Sequence, residues 1–257
     1  MRKIYFFDID HTLLDHATMA IPDSALRAIE LLKQAGNTVV IATGRSYGHA
    51  KPFIDQILPS YAITQNGARI LQNDREVLAI PLPRKPLIDL FDWIQGQGHC
   101  FGINNGVAGY VSEPLSWVLA AMGSVNMAVQ SDARFYLSQD VYQGWLFFDE
   151  SLDERLYPEI LERFPEFDLA RWHAKAVDVM PKAVTKWTAC QWVMGQTGFV
   201  PDQAVAFGDG LNDIEMLQGV GLGVAMDNGH PAAKAAANRI APALHLDGIA
   251  TVLTDLA

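Results

Sequence analysis

Cysteine is nearly missing from this chain: Cys100 and Cys190 are the only two in 257 residues, far apart and outside any C-x-x-C pattern. That scarcity speaks against a disulfide framework or a cysteine-ligated zinc site and leaves two ordinary thiols. Clustered positive charge is lacking too. Nineteen Lys and Arg face 29 Asp and Glu, a formal net charge of -10, and no basic run occurs. This argues against nucleic acid or an anionic membrane surface as the main partner, so an anionic ligand must be held by a local site. No stretch approaches the ~20 apolar residues of a membrane span, and Asp8 and Asp10 arrive before a long apolar leader could form. The expectation is a cytoplasmic protein that does not engage a membrane. Low-complexity tracts and fixed-period repeats are missing as well, which sets aside solenoid and disordered architectures.

What is present is apolar sequence in short punctuated runs. Half the residues are hydrophobic, enough for one large core or two smaller ones. The first run, Ile4-Tyr5-Phe6-Phe7, reads as a strand covered on both faces, and it ends in Asp8-Ile9-Asp10-His11-Thr12. Strand residues two apart share a face, so Asp8 and Asp10 share a site if the strand continues; a turn after Asp8 gives them separate jobs. Either way, like charges this close call for a hard cation or a proton, unless the pair merely caps a turn.

Apolar spacing from Pro22 to Ala35 predicts a helix ending near Gly36, and Thr38 to Ala42 a second buried strand, which together make a βαβ unit. A helix from about Ser46 to Leu58, a strand at Tyr61 to Thr64, a turn at Gln65-Asn66-Gly67 and a hairpin around Asn73-Asp74 follow. Pro81, Pro83 and Pro86 then interrupt the chain, and Pro181 closes the interval. Between them the pattern is mixed: helices at Leu87 to Ile94 and Leu152 to Phe164, strands at Cys100 to Ile103, Tyr110-Val111 and Trp145 to Phe148. Ser116 to Asp140 fits helix and irregular structure equally well. Alternation then resumes with a helix at Thr185 to Gly195, a strand at Ala204 to Phe207, a helix at Leu211 to Gln218, a strand at Leu222 to Ala225 and a helix at Pro231 to Asn238. The expected fold is α/β, a Rossmann-like parallel-sheet core (residues 1–82 and 183–257) with an inserted smaller α+β cap domain (83–182).

The strand at Ala204 to Phe207 delivers a second acidic turn, Gly208-Asp209-Gly210-Leu211-Asn212-Asp213. If both strands lie in one parallel sheet, Asp209 and Asp213 can approach Asp8 and Asp10 at the same edge. Such an oxygen-rich set suits Mg2+ better than zinc. Thr43 and the backbone of Gly44 end the second strand as neutral phosphate donors, and Lys186 adds one mobile positive charge.

Asp8-Ile9-Asp10-His11-Thr12, Thr43-Gly44-Arg45, Lys186 and Gly208 to Asp213 resemble the four ordered motifs of haloacid dehalogenase (HAD) superfamily phosphatases. Asn66-Gly67, Gly208 to Met216 and Gly223-Val224-Ala225-Met226-Asp227-Asn228 resemble the Cof-type sugar-phosphate phosphatases more narrowly, whose cap is inserted between the second and third motifs (type IIB-like). The resemblance implies a phosphatase in which Asp8 attacks phosphorus and Asp10 serves as acid and then base. It implies a Mg2+ cofactor held by Asp8, the Asp10 carbonyl and Asp209, and phosphoryl oxygens bound by Thr43, Gly44, Lys186 and Asn212. Thr12, Asp213, Arg45 and Asn228 have supporting roles, Thr12 by bracing the turn. His11 and Trp187 stand where glycine is common in that family. In the cap, Asn104, Asn105, Trp172 and His173 are candidate specificity residues, with core packing the plainer role for Trp172 and a satisfied surface ring for His173. The partner is then a small phosphorylated metabolite, and the protein a monomer or homodimer. A phosphomutase or phosphotransferase with the same intermediate, or a noncatalytic phosphometabolite sensor, are the competing functions.

Overall fold

A computed structural model of the chain describes residues 2–106, 108–125, 127–131, 136–137 and 139–256. The first apolar run forms β1 (Ile4–Phe7), all of it buried, as an uninterrupted hydrophobic strand must be. It lies inside an eight-stranded sheet, flanked by β2 (Thr38–Ala42) and β12 (Ala204–Gly208) and parallel to both, with Ile4 opposite Thr38 on one side and Ala204 on the other. Beyond β12 come β13 (Leu222–Met226) and β14 (Arg239–Ala241); beyond β2 come β3 (Tyr61–Thr64), β4 (Arg69–Gln72) and β5 (Arg75–Ala79). β4 runs antiparallel to β3, and β5 neighbours β4 at the end of the sheet, across the turn expected at Asn73 and Asp74.

Helices cover the sheet as the crossovers require. One face, including Ile4, Phe6, Val40 and Ala206, packs with Cys190, Val193, Met216, Leu217 and Ala233 from α6 (Lys186–Thr197), α7 (Ile214–Gly219) and α8 (Pro231–Ala236). Residues alternating with these point the other way, and there Phe7 and Phe207 stack with centroids 4.9 Å apart. α1 (Asp23–Gln34) and α9 (Gly248–Asp255) pack together, burying Ile29, Leu32, Val252 and Leu253. β14 and α9 were not foreseen: Arg239–Ala241 is too short to show a period, and Gly248 opens α9 where glycine ordinarily signals an end. The helix expected over Leu211 to Gln218 divides into a 3-10 turn, Leu211–Asp213, and α7.

The chain forms two compact units, one of Met1–Arg45, His49–Leu78 and Thr185–Ala257, the other of Ser46–Gly48 and Ala79–Val184. The second contains a six-stranded sheet in the order β10 (Phe167–His173), β11 (Ala176–Pro181), β9 (Gln143–Phe147), β6 (Cys100–Asn104), β7 (Gly109–Val111), β8 (Val129–Gln130). Leu87, Phe91 and Ile94 of α3 (Arg84–Gly96) and Leu156 and Ile160 of α5 (Asp153–Arg163) pack on one face, while Val118 and Met122 of α4 (Ser116–Ser124) join Trp145 and Phe147 on the other. α3 begins before Pro86, which sits in its first turn, where no intrahelical N–H is lost. The uncertain Ser116 to Asp140 segment resolves into α4 and β8; residues 126, 132–135 and 138 within it lie outside the described residues. The β10–β11 hairpin went unread because Asp168, Arg171 and Lys175 dilute its apolar alternation. Trp172 packs in the α4-side cluster and His173 Nδ1 accepts from the Lys175 N–H at 3.1 Å, the plainer of their two expected roles. Asn104 is fully buried, and its Oδ1 accepts from the Gly106 N–H at 2.8 Å.

Among the described residues, none of the side chains that shift Asp178, on β11 opposite Trp145, is a cation. Burial pushes its carboxyl up to about 7, against the partial relief given by the neighbouring side chains of Gln143, Trp145 and Trp172; the Trp172 Nε1 itself makes no hydrogen bond of regular geometry. A raised acid keeps in the native state a proton that the unfolded chain releases near its ordinary value. Asp178 therefore destabilises progressively as pH rises from about 4 to about 7, at most about 1.4 kcal/mol per pH unit. Thermal unfolding followed between pH 5 and 8 should show this loss, and Asp178→Asn should flatten it.

Candidate active site

Parallel strands bring Asp8 (after β1), Thr43 (after β2) and Asp209 (after β12) to one edge of the core sheet. The Asp8 N–H donates to the Phe207 carbonyl at 3.0 Å, extending the ladder one residue beyond the strand. The chain then reverses: the Ile9 carbonyl accepts from Thr12, Leu13 and Leu14, and His11 adopts a left-handed backbone with φ 57°. That conformation favours glycine; a histidine there costs about 1 kcal/mol. The Asn228 side chain donates to the His11 carbonyl at 2.8 Å and accepts from the Leu244 N–H at 2.9 Å, tying the turn to the loop after β13. Thr12 Oγ1 donates to Asp209 Oδ1 at 3.0 Å, joining this turn to the loop after β12.

Lys186 is fully buried at the first residue of α6, its Nζ 2.6 Å from Asp8 Oδ1 and 2.7 Å from Asp213 Oδ1. Thr185 caps the helix through a capping box with Thr188. Gly67, at φ 108°, lets the Gln65–Gly67 turn approach this cap; a Cβ there would sit 2.4 Å from the Thr185 carbonyl oxygen. Trp187 lies against Gly219, whose missing side chain leaves room for its ring. The other oxygen of Asp213 accepts the N–H groups of Asp209 and Gly210, each at 2.9 Å. Gly208 permits this, because a Cβ on it would meet Asp213 at 2.6 Å.

One ammonium thus faces three buried or half-buried carboxylates. Burial pushes Asp8 well above its ordinary range, with Lys186 opposing and Asp213, Asp209 and Asp10 reinforcing. Burial and then the Asp213 charge raise Asp209 to about 7, against the Thr12 hydrogen bond. Burial alone would lower the Lys186 pKa, but Asp213 and Asp8 reverse that and raise it, so the lysine stays charged. Oxygens of Asp8, Asp209 and Asp213 lie within 4.8 Å of one another, a hard-donor set short of positive charge that fits a divalent cation. Both Asp213 oxygens are already engaged, which leaves Asp8 and Asp209 as the side chains free to hold it.

Asp10 turns elsewhere. Arg45 Nε donates to its Oδ2 at 2.8 Å and Nη2 to its Oδ1 at 2.6 Å, and His16 Nε2 lies 2.7 Å from Oδ1. Burial works to raise this carboxyl, but Arg45 and then His16 outweigh it and hold it below its ordinary value. Thr43 is buried, its hydroxyl accepting from the Arg45 N–H at 3.1 Å. A Cβ on Gly44 would lie 3.0 Å from Asn66 Oδ1, and that oxygen accepts from Asn212 Nδ2 at 2.9 Å. Asn212 is thereby aimed by the left-handed residue Asn66 (φ 53°). Sequence reasoning gave no site role to His16, one polar residue in a loop without a spacing that marks it, and read Asn66 only as a turn residue and as part of the Cof-type resemblance.

The chain matches the haloacid dehalogenase-like hydrolases over residues 5–253. It belongs to that family. YkrA of Bacillus subtilis (strain 168), provisionally named a phosphatase, is 32% identical over 257 residues, which cover 99% of this chain and 97% of YkrA. The crystal structure of a hypothetical protein of Geobacillus kaustophilus HTA426 superposes with a TM-score of 0.89 at 32% identity, covering 100% of this chain and 99% of that one. The HAD subclass IIB sugar phosphatase BT4131 gives 0.84 at 26% identity, covering 99% and 98%. Within the HAD family this is a Cof-type phosphatase, a hydrolase of phosphate monoesters. Among its described residues no helix is long and apolar enough to cross a membrane.

Proposed function

We propose that the protein hydrolyses small phosphorylated metabolites, sugar phosphates among them, through an aspartyl-phosphate on Asp8 with Mg2+ as cofactor. The observation that carries this reading is the buried Asp8, fixed by Lys186 beside Asp209 at the ends of adjacent parallel strands. An Asp8 oxygen attacks phosphorus as the bond to the ester oxygen breaks, and Asp10 gives that oxygen its proton. Asp10 then takes a proton from the water that attacks the acyl phosphate, restoring Asp8. The Thr43 hydroxyl, the Gly44 N–H, the Asn212 amide and Lys186 supply donors for the phosphoryl oxygens, preorganised by the contacts described above. Asp8, Asp209 and the Asp10 carbonyl would hold Mg2+, which when bound lets an anionic nucleophile meet an anionic phosphate. Asp213 braces Lys186, while Thr12, Arg45 and Asn228 brace the loops.

The second unit, inserted between Thr43 and Lys186 in the chain, is proposed as the cap that reads the leaving group. The net charge of -10 supports small anions held locally rather than nucleic acid as substrate, and two free buried cysteines accord with a cytoplasmic location, as monomer or homodimer. The test is inorganic phosphate release from a panel of phosphometabolites: chelation should abolish it and added Mg2+ restore it. Phosphate retained on an organic acceptor would indicate transfer instead, and activity indifferent to chelation would remove the metal from the mechanism.

A further inference from the structure

We propose that His16 is a positioning residue that selects which oxygen of Asp10 exchanges the proton, and that His11 holds His16 in place. The proposal rests on the acid-base reading of Asp10 given above. An ionised carboxylate offers about four lone-pair directions, two on each oxygen. In Asp10 both directions of Oδ1 are taken, one by Arg45 Nη2 at 2.6 Å and one by His16 Nε2 at 2.7 Å, the latter donating in the tautomer that carries the Nε2 proton. Among the described residues, Oδ2 receives only Arg45 Nε, at 2.8 Å. One direction of Oδ2 stays open, and that is where a proton can be carried. In the first half-reaction the proton that Oδ2 holds from the preceding turnover passes to the ester oxygen as its bond to phosphorus breaks; in the second, Oδ2 takes a proton from the attacking water, which readies it for the next turnover.

Arg45 alone does not make this choice, because a fork spanning both oxygens treats them nearly alike. It is itself steadied, with Cζ 5.0 Å from the centre of the Phe53 ring. His16 breaks the symmetry from the loop that closes through paired bridges, Asp10 with Leu14 and Asp15 with Ala20. Its ring lies parallel to that of His11, with centroids 4.2 Å apart and planes 18° from parallel. A glycine at position 11 would suit the left-handed backbone better but would leave that face of His16 uncovered. The side chain of His11 accepts local strain and provides the platform.

Three variants test this: His16→Ala, His16→Gln and His11→Gly, assayed on an alkyl phosphate such as glycerol phosphate and on p-nitrophenyl phosphate, whose leaving group needs no proton. His16→Ala should lose about tenfold in kcat on the alkyl ester with KM little changed, and less on the aryl ester. His16→Gln, which keeps a donor, should recover most of the loss. His11→Gly should lose a smaller factor in kcat without a fall in Tm. Crystal structures of wild type and His16→Ala supply a readout that needs no turnover: the Asp10 carboxyl should leave its single orientation in the variant. An unchanged Asp10 orientation, an unchanged kcat, or equal losses in Ala and Gln variants would overturn the proposal. A wild type that released phosphate from no ester would remove the phosphatase reading, while the crystallographic comparison would still decide the role of His16.

Discussion

Asp8→Asn should lose at least about 10³-fold in kcat while the protein stays folded, because it removes the attacking oxygen and little else. An asparagine keeps a carbonyl oxygen where Asp8 Oδ1 accepts from Lys186. It also relieves a carboxylate that burial and three neighbouring acids disfavour, so the unfolding midpoint should hold or rise. This pairing of lost turnover with retained stability identifies a group kept for chemistry. Steady-state phosphate release and calorimetry on the same preparations decide it: activity equal to wild type would end the covalent route, and unfolding would leave the lost turnover uninformative, with Asp8→Glu then serving as the replacement.

Lys186→Met should act on both quantities at once. The lysine lies between two carboxylates, and its loss strands them in a site with almost no solvent. Breaking a buried pair from one side costs about 3–5 kcal/mol, which lowers Tm by roughly 10 °C in a protein of this size. The penalty has a pH signature. Without the opposing ammonium, Asp8 holds its proton still more tightly in the folded state than in the unfolded chain, so the variant should recover stability as pH falls from 8 towards 5. Lys186→Arg retains charge but brings a planar fork into a space fitted to a point charge, and should remain damaged. A Tm deficit that stayed constant across pH would show that packing, rather than the stranded carboxylates, sets the cost.

The parts of this site legible in the sequence share one physical origin. Asp8, Thr43 and Asp209 each follow a short strand that is apolar but for Thr38, and the parallel strands end at one sheet edge, so a one-dimensional pattern fixed a three-dimensional meeting. Lys186 and Asp213 could be added by their place in the helices that follow. The bonds between loops were hidden because they depend on how turns fold back: Arg45 onto Asp10, Asn212 onto Asn66, Asn228 onto the His11 carbonyl. His11 was visible as an oddity, but only its left-handed backbone and its stack on His16 give the oddity meaning. In the second unit a hairpin rich in charge concealed two strands, and with them Asp178, a buried acid in the middle of an otherwise apolar run, Val177 to Met180.

The register of β1 against β12, with Ile4 opposite Ala204, has a consequence for biogenesis. β1 is translated about two hundred residues before β12, one of its two neighbours, with Ala79–Val184 of the second unit in between. At about 5–20 residues per second that is a delay of roughly 10–40 s during which a fully apolar strand has an unsatisfied edge. Long-range parallel pairing is slow to form even once both partners exist. The same connection that sets Asp8 beside Asp209 leaves the candidate site among the last parts of the molecule to assemble.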